Sequence, residues 1–237
     1  GHSGEKAIQT FFTEGQGQYI RNLVSEALWS DMTHFEGNAN AFRILSHRFC
    51  GRREGGFVMT YSTLASIVKY PCESQAAGKK GKFGFFNDDS QTYMKIAAEL
   101  GIPRNSADSL EYARHPLGYL TEAADICYEI MDIEDAHKLK ILSFEETSAL
   151  LLGFFDSKTQ EAIRKRIIEE GITDSNEKVI YMRARAIGLL ESLCVRVFVE
   201  HEEEILSGTF SGGLIDHIAE PSLSAYRRCQ KVSGERI

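Results

Sequence analysis

The stretch from Tyr119 to Asp135, YLTEAADICYEIMDIED, carries the residues best suited to chemistry. At about 100° per residue, Asp125, Tyr128 and Asp132 fall in one narrow stripe, while Ala123, Ala124, Ile126, Cys127, Ile130 and Met131 cover most of the remaining circumference. A helix so apolar elsewhere is expected to be buried on most sides. Its carboxylates then need water, a cation or a metal, because a buried unpaired carboxylate is strongly unfavourable. Carboxylates beside a tyrosine on a cavity wall suit a hard metal ion and an oxygen-rich substrate. The solvated face of a surface helix has the same pattern.

A second group is cationic. Lys69-Tyr70-Pro71 closes one helical pattern, and Lys79, Lys80 and Lys82 follow in KKGKFGFF. Lysines interleaved with glycines let ammonium groups and bare backbone N–H donors approach a polyphosphate together, with aromatic rings at hand for a base or sugar. A solvated loop kept soluble by its lysines reads the same way. A third group is the start, Gly1-His2-Ser3-Gly4-Glu5. A His and a Glu three residues apart at a helix N-terminus can share a face, where the imidazole exchanges protons near neutral pH. GHSG also has the composition of an expression-tag remnant. In HFEGNANAFR, the groups Glu36, Asn38, Asn40 and Arg43 enter a helix as a polar network or substrate clamp. The remaining histidines, such as His47, His115 and His137, are too dispersed for a local ligand pair. No GxxxxGK[ST], GxSxG or GxGxxG occurs, so phosphate-loop, hydrolase-elbow and dinucleotide readings have no support.

These groups need elements to position them, and those elements read as helices. The 4 prolines each sit beside a turn signal and leave long stretches free. Helical spacing is expected over 4–12, 17–29, 37–50, 60–70, 88–101, 106–114, 117–136, 143–152, 156–170, 174–206 and 222–231, with no comparable stretch alternating as a strand would. Capping patterns mark the starts at Ser106, Ser143 and Asp174. Residues 73–87 break every period and read as an exposed loop. The fold class is therefore all-α, and no composition shift divides residues 1–237, which read as a single domain.

Composition narrows the function. An apolar content of 43% supports a real core, and 27 Lys and Arg against 34 Asp and Glu give a net charge of −7. Coating of nucleic acid or an anionic membrane would have to work against that field. The longest apolar runs, such as Ala149 to Leu152, fall far below the roughly 20 residues of a membrane span, and no signal peptide is read. The 5 dispersed cysteines argue against a disulfide framework or zinc ribbon and point to a reducing, cytoplasmic setting.

Taken in order, GHSGEKAI, HFEGNANAFRIL, TYSTLASIVKYP, KFGFF and HPLGYLTEAADICYEIMDIEDA resemble the bacterial deoxyguanosine triphosphate triphosphohydrolase family of HD-domain enzymes. The likeness covers residues 1 to about 140 and continues more weakly to the end. It implies a helical HD-type fold around one divalent metal, Mn or Mg. It also implies attack of water on the α-phosphorus of a deoxynucleoside triphosphate, giving deoxynucleoside and inorganic triphosphate. In the family a His-Asp pair precedes the GHxGE motif, so the resemblance implies a chain truncated at its N-terminus, without the first three metal ligands.

Matched residue by residue, the resemblance makes His2 the imidazole that orders the attacking water or protonates the leaving 5′-oxygen, with Glu5 its polar partner. Asn38 becomes a phosphate or water contact, and Lys69, Tyr70 and Lys82 become polyphosphate contacts. Asp125 becomes the fourth metal ligand, Tyr128 packs against the deoxyribose and phosphates, and Asp132 meets the 3′-hydroxyl. The family commonly reads EAADDICY where this chain has EAADICY. Aligned from the left, Asp125 is the ligand; aligned from the right, the ligand is lost. The missing residue turns a helix by about 100° unless a bulge absorbs it. The rival readings are a non-catalytic nucleotide-sensing or oligomer-forming protein and an HD hydrolase of another phosphate ester. A homo-oligomer is the expected assembly. Nothing in the sequence locates a site for single-stranded nucleic acid.

Overall fold

The computed structural model describes residues 2–51, 55–78 and 81–236, without the side chains of His2 and Ala124. The chain is all-α. Among the described residues the only extended pairings are two isolated antiparallel bridges, Cys72 with Glu111 and Arg104 with Tyr112. It folds as two compact units, Gly1–Thr121 with Glu203–Phe210, and Glu122–Glu202 with Ser211–Ile237.

The first unit opens with α1 (His2–Thr13), a 3-10 segment (Gln16–Leu23), α2 (Glu26–Thr33), α3 (Gly37–Ser46), α4 (Tyr61–Ile67) and α5 (Ser90–Leu100). Ser25 and Thr60 start α2 and α4 by accepting from the N–H groups of Leu28 and Thr63. Gly101, in the left-handed conformation that glycine adopts without a Cβ penalty, stops α5. The core centres on Tyr93 of α5. Its ring stacks on Phe85 at 4.6 Å and meets Phe42 and Tyr112 edge-on at 5.8 and 5.4 Å.

Residues 73–87 are not the exposed loop that their composition suggests. Phe83 and Phe85 are fully buried. Phe83 and Phe86 pack with Ala39, Phe35 and Cys72, whereas Phe85 joins the cluster around Tyr93. The segment threads between two apolar clusters because its aromatics dominate its glycines and lysines, and each ring buries a large apolar area. Lys79 and Lys80 lie outside the described residues.

The helix expected over 106–114 is also absent. Ser106 Oγ does accept from the N–H groups of Asp108 and Ser109, but the chain then turns outward and pairs with 71–73. Tyr112 N–H donates to Pro71 O, Glu73 N–H donates to Leu110 O, and Leu110 N–H donates to Glu73 Oε1. A serine cap motif serves a turn as readily as a helix, and here long-range pairing wins.

The chain passes from the first unit to the second within α6 (Gly118–Lys138); α7 (Phe144–Leu152), α8 (Ser157–Glu169), α9 (Ser175–Glu200) and α11 (Ser222–Arg236) belong to the second, and all but the first residue of α10 (Glu202–Ser207) to the first. Ser143 and Glu146 form the reciprocal cap expected at α7, and Asp174 caps α9. The helix expected over 174–206 is interrupted at His201, where Glu200 and Glu202 to Glu204 crowd negative charge onto the carbonyl end of α9. On α6, Ile126, Ile130 and Ile133 are buried, at the spacing of one helical face.

Candidate functional site

Three chain segments of the first unit meet at one ammonium group. Glu36 closes the start of α3, accepting from Asn38 N–H at 2.6 Å through Oε2 and from Asn38 Nδ2 at 2.9 Å through Oε1. The same Oε1 accepts from Lys82 Nζ at 2.6 Å. Glu5, one turn into α1, brings Oε2 to 3.7 Å from that Nζ. Gly37 makes room for this approach, since a Cβ there would stand 2.6 Å from Glu5 Oε1. The Glu36 side chain is only 3% exposed, and Lys82 is its compensating charge.

Burial alone would push the Lys82 ammonium below its usual range. The hydrogen bond and charge of Glu36, then the charges of Glu5 and Tyr70, reverse this and hold it above.

Lys82 also lines a cavity of about 370 Å³, together with Lys69, Tyr70, Pro71, Cys72 and Arg114. Lys69 and Tyr70 directly follow α4. Gly84 lets the 82–86 backbone pass against theirs, donating its N–H to Cys72 O at 3.0 Å. The Arg114 guanidinium stacks over the Tyr119 ring at 4.7 Å, which holds its planar fork in one orientation. Cys72 brings no nucleophile to this cavity. Burial, then the charges of Glu111 and Glu73, push its thiol up to about 12.

The first unit therefore assembles Glu5, Asn38, Lys69, Tyr70 and Lys82 from the residues singled out in the sequence. His2 opens α1 three residues ahead of Glu5, but its side chain lies outside the described residues. Arg114 was not singled out, and Glu36 was singled out only within the polar network of HFEGNANAFR, not as the partner of Lys82. Arg114 immediately precedes HPLGYL and carried a signal by adjacency alone.

In the second unit, α6 runs through Asp125 as unbroken α-helix with no π turn. Asp125 is half-buried, Tyr128 is 63% exposed, and Asp132 is exposed. Glu122 and Glu129 extend the acidic stripe. Tyr226 of α11 lies within its reach: burial, then the charges of Glu129, Asp125 and Glu122, push that phenol above its usual range. Burial, then the charge of Asp132, likewise raises the Glu129 carboxyl. Among the described residues no group of three or more His, Cys, Asp or Glu is arranged to hold a metal ion. Asp125 by itself does not fit one.

The chain is 36% identical over 243 residues to a protein of Pseudomonas aeruginosa named "Deoxyguanosinetriphosphate triphosphohydrolase-like protein", a match covering 100% of this chain and 54% of that protein. A relative of the same name from Synechocystis sp. is 34% identical over 228 residues, covering 91% of this chain and 50% of its own. The chain belongs to the deoxyguanosinetriphosphate triphosphohydrolase family. A Yersinia enterocolitica protein named "Deoxyguanosinetriphosphate triphosphohydrolase" is 24% identical over 280 residues, again over 100% of this chain and 53% of its own. The chain thus spans about half the length of the curated triphosphohydrolase-family relatives it matches. No protein-family model matches it. Among the described residues no helix is long and apolar enough to cross a membrane.

Proposed function

We propose that the protein hydrolyses a deoxynucleoside triphosphate, dGTP favoured, to deoxynucleoside and inorganic triphosphate, and that the cavity of the first unit grips the triphosphate. The observation that carries this reading is the placing of Lys69, Lys82 and Arg114 on the wall of one cavity. In a chain of net charge −7, three cations gathered there suit a polyanion of matching size.

In the reaction, water adds to the α-phosphorus and the bond from that phosphorus to O5′ breaks. The bonding electrons go to O5′, which takes a proton, and the attacked phosphorus departs within the triphosphate. Cations already fixed on the phosphate oxygens stabilise the charge that develops there without reorganising. The Tyr70 hydroxyl adds a further hydrogen-bonding group. His2 orders the water or protonates O5′, and Glu5 is its polar partner on the same helix. Asn38 supplies an amide to a phosphate or to the water.

The family resemblance assigns Tyr128 to the deoxyribose and Asp132 to its 3′-hydroxyl, and both assignments are part of the proposal. A divalent cation, Mn or Mg, with Asp125 among its ligands is part of the proposed reading, and counting bound metal in protein loaded with either ion tests it.

Incubating the full-length protein with dGTP and following phosphorus by ³¹P NMR tests the activity. Release of inorganic triphosphate with deoxyguanosine is the expected result. Pyrophosphate as product, or binding of dGTP without turnover in metal-loaded protein, would overturn it, the latter in favour of a non-catalytic nucleotide-binding protein.

A further inference from the structure

Glu36 sits at a junction that the triphosphate reading does not use. Its two oxygens hold three donors: the Asn38 backbone N–H, the Asn38 side-chain amide and the Lys82 ammonium. The last two belong to residues assigned to the substrate. Glu5 of α1 stands off at 3.7 Å from the same Nζ.

We propose that Glu36 is a positioning residue, which fixes the Lys82 ammonium on the cavity wall to meet a phosphate oxygen and aligns the Asn38 amide beside it. The inference rests on the triphosphate reading of that cavity. Lysine carries several rotatable bonds and loses its charge when buried beside other cations. Lys69 and Arg114 line the same cavity as Lys82. Glu36, Glu5 and Tyr70 act to keep Lys82 charged, and Glu111 also lines the cavity. Of these, Glu36 accepts from the ammonium at 2.6 Å and its side chain is 3% exposed. A phosphate entering the cavity then meets a lysine that is already charged and already oriented, so little side-chain entropy is lost on binding. An ordinary helix cap would satisfy Asn38 N–H and do no more.

Glu36→Gln separates the two roles. Its carbonyl can still accept from Asn38 N–H and keep α3 capped, while its amide N–H₂ faces the ammonium that Glu36 Oε1 formerly accepted. The experiment uses full-length protein with ¹³C-labelled lysines, Lys82 being assigned from Lys82→Met, and inorganic tripolyphosphate as probe.

In the ligand-free protein the Lys82 titration midpoint is expected to fall in Glu36→Gln, while Glu36→Asp, which keeps the charge, retains more of the wild-type value. The alkaline limb of tripolyphosphate binding moves to lower pH with it. Glu36→Gln/Lys82→Arg binds without that limb, since a guanidinium stays charged with no help from Glu36. An unchanged Lys82 midpoint would overturn the proposal whatever the cavity binds. So would an affinity loss equal at neutral and alkaline pH that Lys82→Arg does not rescue, because Glu36 is then a cap alone. Lys82→Met should weaken tripolyphosphate binding about tenfold or more. Wild-type binding by Lys82→Met would refute the triphosphate reading of the cavity, and the assigned role of Glu36 with it.

Discussion

Gly84 is the tightest position in the segment that carries Lys82 past Tyr70, and one added methyl tests the arrangement. An alanine Cβ there would stand 2.4 Å from Tyr70 O and 2.4 Å from Val68 Cγ1, with Tyr70 C at 3.2 Å. Comfortable carbon contacts lie near 3.5–4.0 Å, so both neighbours are too close by about 1 Å. Val68 could turn its methyl aside, but Tyr70 O is backbone and accepts the Cys72 N–H at 2.7 Å. Relief therefore requires the 82–86 segment to move away from 69–72, stretching the bond from Gly84 N–H to Cys72 O. Overpacking costs about 1–3 kcal/mol and the weakened hydrogen bond about 1 more. A loss of about 2–4 kcal/mol lowers the melting temperature by roughly 5–15 °C in a chain of this size. The same shift separates Lys82 from Lys69, and a misplacement of about 1 Å in a binding constellation is expected to weaken tripolyphosphate binding at least tenfold. Thermal melts and binding isotherms of Gly84→Ala, each beside Gly188→Ala, make the assay. Gly188 lies in the middle of α9 with no neighbouring atom within 4 Å, so the same methyl should there stabilise the helix by about 0.5–1 kcal/mol. If Gly84→Ala melted with the wild type and bound tripolyphosphate as tightly, the close passage of the two segments would be refuted.

Phe85→Ala removes a fully buried ring stacked on Tyr93 and should cost about 3–5 kcal/mol in urea unfolding, where an exposed loop position would cost almost nothing. Arg114→Lys should recover little of the tripolyphosphate affinity lost in Arg114→Ala, because the ammonium reproduces neither the stack on Tyr119 nor the planar fork; full recovery in titration calorimetry would contradict this. Asp31 accepts from Ser74 Oγ at 2.6 Å and Asn87 N–H at 2.7 Å, yet burial holds its carboxyl above the ordinary value of 3.8. Its folded value exceeds its unfolded one, so its contribution is fully present below the unfolded value and is lost as pH rises through the folded value; urea midpoints of Asp31→Asn between about pH 4 and 7 should lack that part of the slope. If Tyr128 excludes a ribose 2′-hydroxyl by contact, full-length protein should hydrolyse dGTP far faster than GTP and Tyr128→Ala should narrow the ratio, whereas equal wild-type rates would end that assignment.

Helix positions were legible wherever a cap and a periodic face coincide. Ser143 with Glu146 and Asp174 with Glu177 do on the backbone what their spacing promises. The failures have one physical source, since composition registers polarity and turn chemistry locally whereas burial is decided at long range. KFGFF looks like a solvated loop because glycine and lysine flank the rings, but Phe85 joins a cluster with Phe42 and Phe83 finds Ala39, both from well outside any sequence window. Ser106 makes the bonds of a helix start, and the following residues pair with 71–73 instead.

The site divides along the same line. Cations are conspicuous, so Lys69 and Lys82 were readable as anion contacts, while Glu36 was readable only as a member of a local polar network and not as the partner of Lys82. Glu36 is a single acid in an acidic chain, and its sequence neighbours give no hint that its carboxylate is 3% exposed with an ammonium from 46 residues away upon it. That burial changes what a positive cluster means. A solvated lysine is protonated anyway and needs no partner, whereas Lys82, half-buried and facing Lys69 and Arg114 across one cavity, depends on a matched negative charge behind it. The Glu36–Lys82 pair leaves the ammonium charged at little local net charge until an anion arrives, and an arriving phosphate then restores an excess of negative charge around Lys82. Binding a polyphosphate in this cavity should accordingly raise the Lys82 titration midpoint further, and uptake of protons on binding at alkaline pH, measured in buffers of differing ionisation enthalpy, should vanish in Lys82→Arg. Proton uptake unchanged by that substitution would place the titrating group elsewhere.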